Sequence, residues 1–114
     1  MWIAGPVMGE IDRNALDTNT MGDTALAREV LGLFAGECGT LLRRIADPAA
    51  SATERADAAH TLKGAAAGIG ALRVQALAGA AERSLRSGAA EAAETVRALE
   101  AAAGAALAEI ARDR

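Results

Sequence analysis

Residues 23–47 read DTALAREVLGLFAGECGTLLRRIAD, and their spacing decides the fold. Leu26, Val30, Leu33, Phe34, Cys38, Leu41 and Ile45 recur at i, i+3 and i+4, the repeat that lines one face of a helix. Leu31 and Leu42 widen this apolar face beyond the ~100° that a surface helix needs. Two arrangements fit: a central helix that touches two neighbours, or a helix whose edge continues as an exposed apolar docking strip. Asp23 is a good N-cap, and Pro48 ends the run because it pushes Asp47 out of helical geometry.

Working outward, residues 1–10 hold Gly5, Pro6 and Gly9 and read as an irregular lead-in to a domain spanning 11–114. Trp2 in that lead-in is either a lid over one end of the fold or without a fixed place. Ile11 and Leu16 anchor a short helix over 11–16, and 18–22 is turn-like. C-terminal to Pro48, Ser51 or Thr53 caps a helix over 51–67, with Glu54 completing a capping-box pattern with Ser51. At about 100° per residue, Ala58, Leu62, Ala65 and Ile69 point one way. Ala56, Asp57, His60, Lys63, Gly64 and Ala67 point the other. Gly68 and Gly70 break or bend the chain. The next helix covers 71–86, with Val74, Leu77, Ala81 and Leu85 inward and Gln75, Glu82 and Arg86 in water. Ser87 and Gly88 turn the chain into a last helix over 90–111, striped by Ala92, Val96, Leu99, Ala103, Leu107 and Ile110. Gly104 within it either weakens the helix or allows close approach of a neighbour. The expected fold is all-α, an antiparallel four-helix bundle with a short extra N-terminal helix.

Composition agrees and excludes several functions. Alanine makes up over a quarter of the 114 residues, and Trp2 and Phe34 are the only aromatic side chains, a bias toward closely packed helices. The net charge is −3, from 12 basic and 15 acidic residues without a basic block, which argues against nucleic-acid binding. A single cysteine rules out an internal disulfide and a cysteine metal cage, and reads as a small core residue. No run approaches the ~20 apolar residues of a membrane span, and the N-terminus lacks the pattern of a secretory signal. A cytoplasmic monomer is the expectation, and the methionine start and ARDR end favour a free-standing protein over one part of a larger kinase.

The chemistry concentrates in residues 59–71, AHTLKGAAAGIGA, which carry the only histidine. His60, Lys63 and Gly64 are neighbours on one helix face, opposite the apolar anchors. Glycine destabilises a helix interior, and Gly64 lies on the wrong face for close helix packing, so space above His60 is the remaining reason for it. An exposed imidazole is mostly neutral at cytoplasmic pH and offers one ring nitrogen as a nucleophile. A phosphoryl group on that nitrogen carries about two negative charges, which Lys63 can stabilise. No GxxxxGK loop is present, one histidine with scattered carboxylates makes no transition-metal site, and no serine or cysteine is paired with His60 for hydrolysis.

This stretch closely resembles the signature of the histidine phosphotransfer (HPt) domain, in which the phosphorylated histidine is followed by x-L-K-G and, ten residues on, by Gly-Ala. His60, Leu62, Lys63, Gly64, Gly70 and Ala71 match, and Glu82 stands where the family often has Leu-Glu on the next helix. Ala65 replaces a frequent Ser or Thr and Gly68 a frequent Asn, which removes hydrogen-bonding groups near the site. The resemblance covers about residues 11–110. It implies a phosphorelay intermediate in two-component signalling that is no enzyme in its own right. His60 would accept a phosphoryl group from a receiver aspartate and pass it to another receiver, with Lys63 stabilising charge and Gly64 giving access. It further implies response-regulator receiver domains and a hybrid histidine kinase as partners, with Mg²⁺ held by the receiver and no cofactor on this chain. Ala56, Asp57, Ala67 and Gly68 would let the receiver approach, and Leu31, Phe34 and Cys38 would form an apolar contact strip. The competing function is a helical adaptor that binds a receiver or kinase without being phosphorylated.

Overall fold

Every regular element that the periodicity marks is helical in the computed structural model, which describes residues 9–113. The helices are α1 (Arg13–Asn19), α2 (Thr24–Ala46), α3 (Ala52–Ile69), α4 (Leu72–Ser87) and α5 (Ala92–Arg112), and no strand occurs among the described residues. The expected lid role of Trp2 and most of the lead-in lie outside those residues.

Side-chain caps set the starts of the first three helices. The Asp12 carboxylate accepts the N–H groups of Asn14 and Ala15 at 3.0 and 3.2 Å, so α1 begins after Asp12 and leaves Ile11 as a buried anchor ahead of it. Asp23 caps α2 through the Leu26 N–H. Ser51 and Glu54 form the full reciprocal capping box of α3, both bonds at 3.0 Å, which satisfies two of the four unpaired donors of a helix start. Gly68 does not break α3. The helix runs through it to Ile69, and Gly70, with φ of +77°, ends it in the left-handed conformation.

The connections from α2 to α3, α3 to α4 and α4 to α5 are a few residues long, so consecutive helices reverse direction. α3 and α4 share the largest contact, α2 lies against α3, α4 against α5, and α2 against α5 closes the bundle, with α1 across α3 and α2. The core joins Leu31, Phe34 and Ile45 of α2, Leu62 of α3, Val74 of α4, and Leu99 and Ile110 of α5, with alanines between them. α2 therefore packs its wide apolar face against several neighbours, α3, α5 and α1. Leu31, Phe34 and Cys38 are core residues and give no contact strip. The exposed large apolar residue of α2 is instead Leu33, 67% accessible. Burial, and secondarily Glu37, pushes the Cys38 thiol up to about 11, which keeps it an inert packing group.

Candidate functional site

Both α2 and α4 pack along α3, with α1 across its C-terminal end, and this narrows its surface. Ala58, Leu62 and Ile69 are buried along one arc, and Ala56, Ala59 and Ala66 along a second. Lys63 lies on that second arc and reaches Gly79 and Glu82 of α4. What stays in water is a strip of Thr53, Asp57, His60, Thr61, Gly64, Ala67 and Gly68. Ala56, expected on this surface, is 0% accessible. It sits one turn before His60 but rotated about 40° from it at 3.6 residues per turn, far enough to fall under α4. Asp57, Ala67 and Gly68 are exposed as expected.

His60 stands in the middle of the strip with 63% of its side chain accessible. Its Nδ1 lies 3.2 Å from Oε1 of Glu82. A carboxylate can only accept, so Nδ1 is the donor in this contact, and in the neutral ring the lone pair is then on Nε2. Lys63 Nζ approaches the same Oε1 at 3.3 Å. Arg86, one turn beyond Glu82, donates from Nε to Oε2 at 3.1 Å and from Nη2 to Oδ1 of Asp57 at 3.0 Å. Asp57 thus pairs with Arg86, not with the histidine three residues after it. Lys63 is the only lysine in the chain, and it shares one carboxylate with the only histidine. Its stem crosses α4 where Gly79 leaves room: a Cβ at Gly79 would meet Lys63 Cδ at 3.4 Å. At Gly64 and Gly68 a Cβ would find nothing within 4 Å. Packing among the described residues therefore does not require either glycine, and they leave the space beside His60 open.

Glu82 is the residue whose part the helical phase missed. That phase sends it toward water, yet only 13% of its side chain is accessible. Partial burial pushes its carboxyl up, but hydrogen bonds from Arg86, His60 and Lys63 outweigh burial and hold it down at about 2. Its position in the Leu-Glu element of the family pattern was the available signal. A carboxylate depressed on folding stabilises the fold above its ordinary value of 4.5, and that stabilisation is lost as pH falls toward about 2. Glu82→Gln should accordingly be less stable than the parent at pH 6, with the gap closing as urea midpoints are followed down to pH 2. A gap that stays constant with pH would show that Glu82 is not held ionised by these partners.

Among the described residues no group of three or more His, Cys, Asp or Glu could hold a metal ion, and no helix is long and apolar enough to cross a membrane. The molecule is thus of the class of small all-α bundles that display one imidazole, its proximal nitrogen fixed by a carboxylate of the neighbouring helix. A family model for the Hpt domain matches residues 29–112, and the chain belongs to the Hpt domain family. Hpt domains are phosphocarriers that serve histidine phosphotransfer in two-component phosphorelays, where they interact with receiver domains and kinases. Neither the curated proteins nor the solved structures searched contain a match.

Proposed function

We propose that this chain is a phosphorelay intermediate that takes a phosphoryl group on His60 Nε2 from a receiver aspartate and hands it to a second receiver. The observation that carries the reading is the Nδ1–Glu82 bond on an otherwise exposed ring, which leaves Nε2 outward as the nucleophile. In the forward step the Nε2 lone pair attacks phosphorus. The bond from phosphorus to the aspartate oxygen breaks, and its electron pair stays on the departing carboxylate. Nδ1 keeps its proton, so the ring becomes an imidazolium beside the Glu82 carboxylate. On the return step a carboxylate oxygen attacks phosphorus, and the P–N electron pair goes back to Nε2. No proton has to move in either direction, and the positive ring is the better leaving group. Lys63 offsets charge on the phosphoryl oxygens, as electrostatic positioning does in other phosphoryl transfers.

The receiver brings Mg²⁺ and the acidic pocket, a hybrid histidine kinase charges the first receiver, and the setting is the cytoplasm. Asp57, Gly64, Ala67 and Gly68 form the exposed strip on which the receiver lands. The test is incubation with ³²P-charged receivers. Label should appear on this chain in an acid-labile, base-stable linkage, as expected of a P–N bond, and absence of label from every receiver of the source genome would defeat the proposal. Gly64 gives a second check. Gly64→Ala should raise stability by about 0.5–1 kcal/mol through helix propensity, whereas Gly64→Leu should fold and yet slow transfer at least 10-fold by filling the space beside Nε2. Equal rates for both variants would show that the receiver does not use that space.

A further inference from the structure

Resting on the phosphocarrier reading, we propose that Arg86, held by Asp57, is a positioning residue that keeps Glu82 paired and thereby frees Lys63 to move onto the phosphoryl group. The two oxygens of Glu82 have different partners. Oε1 takes His60 Nδ1 at 3.2 Å and Lys63 Nζ at 3.3 Å, and Oε2 takes Arg86 Nε at 3.1 Å and Nη2 at 3.0 Å. A phosphoryl group on Nε2 lies across the ring from Nδ1, so Lys63 must turn away from Oε1 to meet it. When it does, Oε1 still accepts from His60 and Oε2 still faces a full cation. Without Arg86, Lys63 would be the only permanent cation on Glu82, and its leaving would pair that largely covered carboxylate with the ring alone, whose positive charge the phosphoryl group offsets.

The source of Arg86's fixed place is Asp57 on α3, whose Oδ1 accepts at 3.0 Å from the same Nη2 that faces Glu82. Asp57 is one turn before His60, so the chain Asp57–Arg86–Glu82–His60 begins and ends on the helix that carries the histidine. Arg86 is also in the last turn of α4, where a cation suits the helix dipole. Its side chain is 43% accessible and that of Asp57 65%, and ion pairs this exposed add little to folding. The consequence of the pair is therefore read in where Lys63 goes, not in whether the bundle forms.

Because Lys63 is the sole lysine, protein grown with ¹³C-lysine gives one side-chain Cε signal. Phosphoramidate, which phosphorylates exposed histidine without any protein partner, supplies the phosphoryl group. In the parent chain the Lys63 Cε signal should shift on phosphorylation. In Arg86→Gln the shift should fall to less than half, Arg86→Lys should restore most of it, and melting temperatures should agree within a few degrees. Transfer from a charged receiver should slow about 3- to 10-fold in Arg86→Gln, and the same change in a Lys63→Met background should have no further effect, since coupled charges in one network are not additive. An unchanged Lys63 shift in Arg86→Gln, or additive losses in the double variant, would overturn the role of Arg86. Chemical phosphorylation that moves Lys63 as described, with no transfer from any receiver, would instead sink the relay reading and leave the role of Arg86 standing.

Discussion

Substitution of His60 by glutamine is expected to abolish transfer from a charged receiver, by at least ~10³-fold as for loss of other enzymatic nucleophiles, without unfolding the bundle. The two halves of this expectation have separate grounds. Transfer is lost because the chain has no other imidazole, and an amide nitrogen has its lone pair delocalised into the carbonyl. Folding survives because the His60 side chain is 63% accessible and its one side-chain bond among the described residues is to Glu82, which Arg86 and Lys63 continue to hold. The stability change should stay within about 1 kcal/mol, the usual range for a surface position. A receiver should bind the variant nearly as well as the parent. This result separates a phosphocarrier from an adaptor that only docks: in an adaptor the variant would signal as well as the parent. Label on the variant equal to that on the parent would sink His60 as the acceptor.

How far the sequence leads depends on what each residue's spacing can report. Helix order and caps were legible because i, i+3/i+4 spacing and the Asp23, Ser51 and Glu54 signals are properties of one segment alone. The exposed histidine was legible for the same reason, since Leu62 and Ile69 fix the buried side of α3. Ala56 was misplaced because alanine is equally at home on a helix surface and under a neighbour, so the second buried arc of α3, made of Ala56, Ala59 and Ala66, has no hydropathy signature. Leu31, Phe34 and Cys38 were open to two readings because a wide apolar face on α2 marks either several neighbours or an exposed edge, and only the positions of α3 and α5 decide between them. Glu82 faces water by its own helix's phase. Its meeting with His60 and Lys63 depends on how α4 is rotated and set against α3, which is a relation between segments. Arg86 and Asp57 are 29 residues apart and were hidden for the same reason.

Gly70→Ala is expected to be the most destabilising of these single changes, and a comparison with Gly88→Ala isolates why. Both glycines end a helix in the left-handed conformation, with φ of +77° and +69°. An alanine there carries a conformational cost of about 1–2 kcal/mol. Around Gly88 a new Cβ would meet nothing within 4 Å, so that cost is the whole effect. At Gly70 the Cβ would come 2.7 Å from the backbone oxygen of Asp12 and 3.3 Å from the Cβ atoms of Asp12 and Ala15. Backbone cannot rotate aside as a side chain can, so α1 must move. That movement strains the bond from the Asp12 N–H to the Gly70 carbonyl, 2.8 Å long, and the bond from Asn19 Nδ2 to the Gly68 carbonyl, 2.9 Å long. It also loosens Ile11 and Leu16, both buried by this docking. Together these should bring the loss to about 2–4 kcal/mol, a fall in melting temperature of roughly 8–15 °C for a chain of this length, against about 1–2 kcal/mol for Gly88→Ala. Because His60 lies ten residues upstream and its partners are on α4, the folded fraction of Gly70→Ala should still accept phosphoryl groups at the parental rate. A loss at Gly70 no larger than that at Gly88 would mean that α1 is not clamped to the end of α3, and that the bundle carrying His60 does not need it.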